Sequence, residues 1–466
     1  METEKKLAEY VSQTRFEDLP RQSVQIIKNV LLTVLGTTIA GASADGCQAL
    51  VDQVREWGGK GEASILVYGG KAPAHAAALA NSTMARALDY CDAMVPGMHV
   101  GSSSVPTALA MAELAGGCSG KEFLAALVVG TELAARINAV SIYDGFDPTG
   151  VCSVFAATVI AGRLLRLDPK QMLDALALAY NKAGGSFQSN IDGSLAVRVI
   201  QGFVSQAGIT CAQLAARGIT GPKNFLEGIY GYFHLYAKDR FNAEALTQGL
   251  GKSFEMDQTL FKKYPSCGCT LAATDAILEL AEEKALVPQD IEAIHIKVPP
   301  YNYKLTGAQF EIGENPKVSA QFSIQYCVAN ALLRKSAKLH HFDEACVREP
   351  SVMALARMVR ISPDPGMADA DRPGFSLAAR LDATIKSGHT YYKAVDVPRG
   401  APGNPMTQEE HMERFRDCVN YANKCGFTVN PEKIISMIAG LEAVADVRSL
   451  IPLLSPQQAG GGVCLA

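Results

Sequence analysis

Four stretches of the chain concentrate side chains that can move protons or hold anions: ARALDYCDAMVPGMHVGSSSVPTALA at 85–110, SIYDGFDPTGVCSVFAA at 141–157, FKKYPSCGCTLAATDA at 261–276 and AQFSIQYCVANALL at 320–333. In the first, Asp89 and Asp92 lie three residues apart, which puts both carboxylates on one face if that turn is helical. The plain alternative is that the pair caps and ends a helix. His99 follows Pro96-Gly97 and so belongs to a loop, where a rigid scaffold commonly carries its working groups. A hydrogen-bonded structural histidine is the alternative. Lys262 and Lys263 are adjacent and point in different directions on any regular backbone, so one of them is expected in a site. A lysine held in a partly desolvated cleft loses its charge more readily and can act as a base, whereas a solvated surface lysine does nothing of the kind. Cys267-Gly-Cys269 offers two thiols with neither a second pair nor clustered histidines to complete a tetrahedral set, so no metal is expected there.

Other chemistries are excluded by what the chain lacks. No GxGxxG follows a strand, and there is no Walker loop, HExxH or GxSxG. The 43 Lys and Arg against 47 Asp and Glu give a formal net charge of -4 with no run of five or six like charges, which argues against nucleic-acid binding and against a polybasic membrane patch. Twelve cysteines are scattered along a chain long enough to need no staples, so reduced and mostly buried thiols are expected. The N-terminal residues METEKKLAEYVSQTRFEDLP lack the apolar core of a signal peptide, and the most apolar stretch, 26–42, is interrupted by Lys28, Asn29, Thr33, Thr37 and Thr38. The expectation is a soluble, cytoplasmic protein.

These residues need elements to position them, and 466 residues at ~150 per domain predict two or three domains. With 48% hydrophobic and 19% charged residues, the chain has ample apolar material for packed cores. Roughly the first 265 residues read as helix after helix, with Ala, Leu and Val at three- and four-residue spacing. The stretch FLAALVVGTELAARI at 123–137 is apolar almost all round, as a helix buried among helices would be. Similar runs occupy 105–115, 154–165, 172–183 and 204–216. The period then changes to two. AIHIKV at 293–298 reads as a strand, and RLDATIK and HTYYKAVDV flank Ser387-Gly388 as a hairpin, with helices at 319–333 and 351–358 between them. After the loop PRGAPGNP at 398–405, Thr407 and Glu410 form a capping box for one helix and Pro431 opens another. The expected architecture is mainly α, with a large all-helical domain at 1–268 and 402–466 and a smaller α+β lid domain at 269–401.

In order and content the four segments resemble the MmgE/PrpD family, which includes 2-methylcitrate dehydratase, cis-aconitate decarboxylase and iminodisuccinate epimerase, and the likeness continues through NPMTQEEHMERF at 404–415. The resemblance implies a helical domain with an α+β lid, a homodimer, an active site between the domains and no cofactor. The first segment is similar to the family's A-LDFDDTHxxxxxHPG, with Asp89, Asp92 and His99 in place but Cys91 and Ala93 where a second Asp and a Thr are common. The second is similar to GFHPTGVxGxFGAA, with Asp147 at the histidine position and Tyr143 four residues earlier. The third is similar to K-x-YPSCG-x-THAA, keeping Lys262, Tyr264, Pro265, Ser266, Cys267 and Gly268 while Leu271 replaces the histidine. In the family's K-R-xx-G block the lysine is Val197 here, Arg198 is retained and Gly202 follows. Arg198 and Arg86 are then candidate carboxylate clamps, because a guanidinium grips a carboxylate with two parallel hydrogen bonds; surface ion pairs are the alternative.

These departures suggest a reaction. A dehydratase needs a base for the proton α to a carboxylate and an acid for the departing hydroxyl, and a carboxylate with an ordinary pKa of ~3.9 is a poor replacement for a histidine acid. If Ala93, Asp147 and Leu271 remove that acid, the surviving set suits proton removal and return at one carbon. The sequence therefore points to a cofactor-independent epimerase of a small-molecule polycarboxylate such as iminodisuccinate, working through a stabilised enolate. In this reading Lys263 and Tyr143 are the two bases, His99 assists as a donor, Asp89 completes the catalytic set, and Arg86, Arg198, Lys262 and Asp92 bind substrate. A family-type lyase, a dehydratase or decarboxylase using Asp89, His99 and Lys262, is the alternative. A catalytically silent helical scaffold is the third, and inertness toward a panel of polycarboxylates would favour it.

Overall fold

The computed structural model describes residues 2–368 and 376–455, so Cys464 and parts of both expected domain ranges lie outside the described residues. The chain is mainly α and divides into two compact units. The first comprises the described residues of Met1–Asn190, Ser194–Thr259 and Glu409–Ala466, and the second Ile191–Gly193 and Leu260–Gln408. Residues 260–268, expected with the helical domain, thus count with the second unit.

The first unit is built from helices whose small residues let backbones approach. Its framework is α1 (Arg21–Gly41), α2 (Ala74–Arg86), α3 (Gly101–Leu114), α4 (Gly120–Val140), α5 (Pro148–Leu164) and α6 (Ala196–Ala216). Ser119 starts α4 with a capping box: its hydroxyl accepts from the Glu122 backbone N–H at 3.2 Å and the Glu122 carboxylate accepts from the Ser119 N–H at 2.9 Å. Gly208 on α6 packs so closely on α5 that a Cβ there would lie 2.5 Å from the Ala157 methyl. Both α1 and α4 are long and apolar enough to cross a bilayer, yet both are buried inside the unit, as core helices of a packed bundle are. A buried ion pair joins Glu132 and Arg136 on α4 at 2.5 Å. Glu132 also accepts from the Met256 N–H, and the Arg136 guanidinium donates to the carbonyls of Leu246, Gln248 and Ser253, tying that loop to the helix. The stretch 409–455 returns to this unit, where Phe415 and Cys418 pack on Gly36 of α1.

The second unit folds around a four-stranded sheet. Strand β1 (Ile291–Val298) is parallel to β2 (Val359–Pro363) and antiparallel to β3 (Ala379–Ile385), which pairs with β4 (Thr390–Val395), giving the order β2-β1-β3-β4. Ile294, Ile296 and Val298 point to the buried face with Leu381 and Ala383, and that face forms one core with α7 (Leu271–Lys284) and α8 (Ile324–Arg334). The hairpin closes at Gly388, whose φ of +86° suits glycine. The single helix expected at 319–333 is two. Pro316–Gln321 ends before Ser323, whose hydroxyl accepts from the Tyr326 N–H at 3.2 Å and caps α8, because a serine offers the backbone an alternative to continuing the helix.

Candidate active site

The first polar segment folds around a buried ion pair. Arg86 ends α2, and its guanidinium grips the carboxylate of Asp89 three residues on; both are about 95% buried. Asp89 has φ +48°, so the chain leaves the helix there, and Asp92 lies in an extended pair of residues, Asp92–Ala93. The expected shared helical face for Asp89 and Asp92 therefore does not form: the ion pair to Arg86 captures Asp89 in the left-handed region, which stops the helix. Asp92 is fully buried, its Oδ2 accepting the Gly101 N–H at 3.0 Å at the start of α3. Its backbone carbonyl accepts from His99 Nδ1 at 2.8 Å. A carbonyl can only accept, so the hydrogen-bond network assigns a proton to Nδ1 and, in the neutral ring, the lone pair to Nε2. The His99 N–H donates to the Thr149 hydroxyl at 3.1 Å, and Cys91 Sγ lies 3.5 Å from His99 Nδ1. The loop histidine is thus held from three directions.

Asp147, at the position expected to lack an acid, serves α5. Its Oδ1 accepts from the Thr149 N–H at 2.8 Å as the N-cap of a helix that opens with Pro148. Burial pushes its carboxyl above the ordinary carboxylate range, while the N–H groups of Thr149 and Gly150 and the charge of Arg86 pull it back. Arg86 thus feels the charge of Asp147 in addition to its ion pair with Asp89. The loop 141–147 carries Tyr143 half-buried against Phe146 and Phe187 at ring separations of 5.7 and 5.9 Å. Burial and the carboxylates of Asp147 and Asp144 raise the Tyr143 phenol further, which holds it protonated. A phenol kept neutral delivers a proton more naturally than it removes one.

Arg198 differs from Arg86 in one respect that matters. It is 3% exposed, and its Nη1 donates to the Asp45 carbonyl at 2.8 Å, but among the described residues it forms no ion pair. Burial pushes its pKa down, Cys47 and Asp45 pull it back, and Arg86 adds a smaller downward push. A buried guanidinium is costly unless an anion completes it. Sequence reasoning found Arg198 but missed Thr149, which its place two residues after Asp147 could have signalled, and Gln201 one turn further along α6.

The lysine block lies in the second unit. Lys262 is 2% exposed, whereas Lys263 is half-buried with its ammonium 5.6 Å from the centroid of the Tyr264 ring. Burial thus distinguishes the two neighbours as their alternating directions require. The Tyr264 hydroxyl donates to Asp275 Oδ1 at 2.7 Å, and the Arg399 N–H donates to Asp275 Oδ2 at 2.7 Å. Burial raises the Asp275 carboxyl, opposed by these two donors and by the charge of Lys263. Asp275 was a missed partner whose signal was a carboxylate in the otherwise apolar helix start LAATDAIL. Leu271, at the expected histidine position, is fully buried. Among the described residues no three His, Cys, Asp or Glu side chains converge as a metal site would need, and no disulfide joins the cysteines, of which seven are buried.

Comparison with known proteins finds matches to both parts of the chain. Residues 5–244 match the MmgE/PrpD N-terminal domain and residues 264–426 the MmgE/PrpD C-terminal domain. A cis-aconitate decarboxylase from Aspergillus terreus is 25% identical over 478 aligned positions, covering 96% of this chain and 95% of that protein. The cis-aconitate decarboxylases of Homo sapiens and Mus musculus are 27% and 26% identical, each covering 81% of this chain and 79% and 78% of their own lengths. With both domain matches in chain order and covering most of its length, the chain belongs to the MmgE/PrpD family.

Proposed function

We propose that this protein is a lyase of decarboxylase type acting on a small polycarboxylate. The observation that carries the reading is Arg198, a buried guanidinium with no ion pair among the described residues, within electrostatic reach of Arg86. Such a group calls for an anion, and a substrate carboxylate supplies it. The decarboxylase names of the relatives support the reaction type. The chemistry agrees with the departures noted in the sequence. Loss of CO2 from a carbon that can delocalise the resulting charge needs no acid for a leaving hydroxyl. It needs cations for the carboxylates that remain and one proton donor to carbon, and Tyr143, held protonated, fits that last part. The missing acids at Ala93, Asp147 and Leu271 therefore tell against a dehydratase while fitting decarboxylation as well as they fit epimerisation.

The epimerase of an iminodisuccinate-like dicarboxylate stands as the second reading, favoured by the apolar, buried Leu271 and by the commitment of Asp147 to a helix cap. Both readings meet one experiment. Enzyme is incubated in D2O with cis-aconitate, 2-methylcitrate and iminodisuccinate, with CO2 and product protons followed together by NMR. CO2 release from a polycarboxylate of this panel, with one deuterium placed on carbon, is the expected outcome. Inversion and exchange of iminodisuccinate without CO2 would replace the lyase by the epimerase.

A further inference from the structure

Gln201 stands three residues after Arg198 on α6, so the two side chains leave the same face of the helix. It is completely buried, and among the described residues neither Nε2 nor Oε1 has a hydrogen-bond partner. A carboxamide that gives up water at both ends and gains nothing is a standing cost that a leucine of similar size would avoid. Its surroundings say where it points. One turn on, the Ser205 hydroxyl bonds Ser82 on α2 at 2.7 Å and donates to the Ser103 carbonyl on α3 at 3.1 Å. At Gly202 the missing side chain admits α2, since a Cβ would lie 2.6 Å from the Leu79 carbonyl oxygen and 2.7 Å from the Thr83 hydroxyl. This face of α6 therefore lies on α2 and the start of α3, the elements that carry Arg86 and lead into and out of the Asp89–His99 loop. The Ser102 hydroxyl, in the first turn of α3, is likewise buried with no partner among the described residues.

We infer that Gln201 is a specificity-determining residue: its Nε2–H donates to a carboxylate gripped by Arg198, and its Oε1 accepts from an O–H or N–H that the substrate carries beside that carboxylate. The inference rests on the polycarboxylate reading and narrows it. A ligand bearing carboxylates alone satisfies only one end of the amide, whereas a hydroxy- or amino-polycarboxylate satisfies both. A site built to meet a substrate hydroxyl rejects the analogue that lacks it far more strongly than an apolar pocket rejects a missing methylene.

Citrate and tricarballylate test this directly, since they share a carbon skeleton and three carboxylates and differ by one hydroxyl. By titration calorimetry on the full-length protein, wild type is expected to bind citrate about tenfold or more tighter than tricarballylate, a modest share of the discrimination such sites reach. Gln201→Leu should abolish the preference, binding citrate and tricarballylate equally and neither more tightly than wild type binds tricarballylate, and Arg198→Ala should weaken both. Thermal melting of Gln201→Leu, expected at or above wild type, confirms that the variant is folded. Equal binding of the two compounds by wild type, or a preference that survives Gln201→Leu, overturns the inference and leaves the polycarboxylate reading standing. Failure of both compounds to bind wild type overturns the polycarboxylate reading, and the inference with it.

Discussion

Arg86 and Arg198 are both buried, but they do opposite things for the fold, and single substitutions should separate them. Arg86 is paired with Asp89, so Arg86→Ala leaves a buried carboxylate without its guanidinium and is expected to cost about 3–5 kcal/mol of stability. Arg198 has no carboxylate to abandon, so Arg198→Ala should change stability by no more than ~1 kcal/mol while costing ~2–3 kcal/mol of substrate binding, roughly 30- to 150-fold in kcat/KM. Urea denaturation beside steady-state kinetics on the two variants checks this; equal stability losses would mean that Arg198 is structural. Tyr143 belongs to the same scale. Removing its hydroxyl in Tyr143→Phe keeps the packing on Phe146 and Phe187 and should slow turnover by ~10²–10⁴, the usual loss for a positioned acid. A variant within threefold of wild type would move proton delivery elsewhere, with Lys262 and Lys263 the next residues to change.

At the scale of elements, α5 couples a helix cap to the site. Asp147 caps the helix through Thr149, and the Thr149 hydroxyl in turn takes the N–H of His99. Asparagine caps as well as aspartate, so Asp147→Asn is expected to keep stability within ~0.5 kcal/mol, whereas Asp147→Ala should lose ~1–2 kcal/mol. Turnover is the discriminating measurement. If Asp147→Asn folds normally yet is inactive, the raised carboxyl of Asp147 is itself the proton donor and Tyr143 is not. The crossing of α6 over α5 makes a second demand on an element. A side chain at Gly208 would strike Ala157 and the Thr158 backbone N–H, which no rotamer can relieve, so Gly208→Val should cost about 3 kcal/mol, the upper end of the usual overpacking range.

For the molecule as a whole, buried titrating groups set the response to acid. Burial and the neighbouring Arg414 depress the His411 imidazole to about 4, and burial with His340 and Arg334 depresses His341 to about 4. Both are held neutral in the fold but charge near pH 6.5 when unfolded, so the unfolded chain binds more protons between those values and stability falls as pH drops through that window. For His411 the full loss is on the order of 3 kcal/mol. Glu132 works in the other direction. Burial pushes its carboxyl up to about 7 despite Arg136, so the folded chain binds the extra proton and stability rises as pH drops from 7 toward the ordinary range. His411→Gln is therefore expected to reduce the fall in melting temperature between pH 7 and pH 4.5 by about 5 °C, and Glu132→Gln to steepen it. Scanning calorimetry across that range decides; an unchanged slope in His411→Gln would show that this histidine binds its proton alike in the folded and the unfolded chain.

Much of this was legible in the residues because it depends on near neighbours. Period-3.6 runs such as 123–137 became core helices, the alternation at 293–298 became a strand, and Gly388 closed the hairpin, since each pattern is imposed by which side chains of one segment can be buried together. His99 in its loop was visible for the same reason, whereas Arg198 entered through the family resemblance. The partnerships were not. That Arg86 would pull Asp89 out of the helix, that Asp92 would cap α3, that Thr149 would hold His99 and that Asp275 would receive Tyr264 all join atoms whose separation in space no local period encodes. The break at Ser323 was a local contest between a helix and a cap that periodicity alone could not decide. Burial was decided last. Whether a lysine, an arginine or a glutamine loses water depends on which helices close over it, and only the packed structure distinguishes Lys262 from Lys263 and, among the described residues, leaves Arg198 without an ion pair and the Gln201 amide without a hydrogen-bond partner.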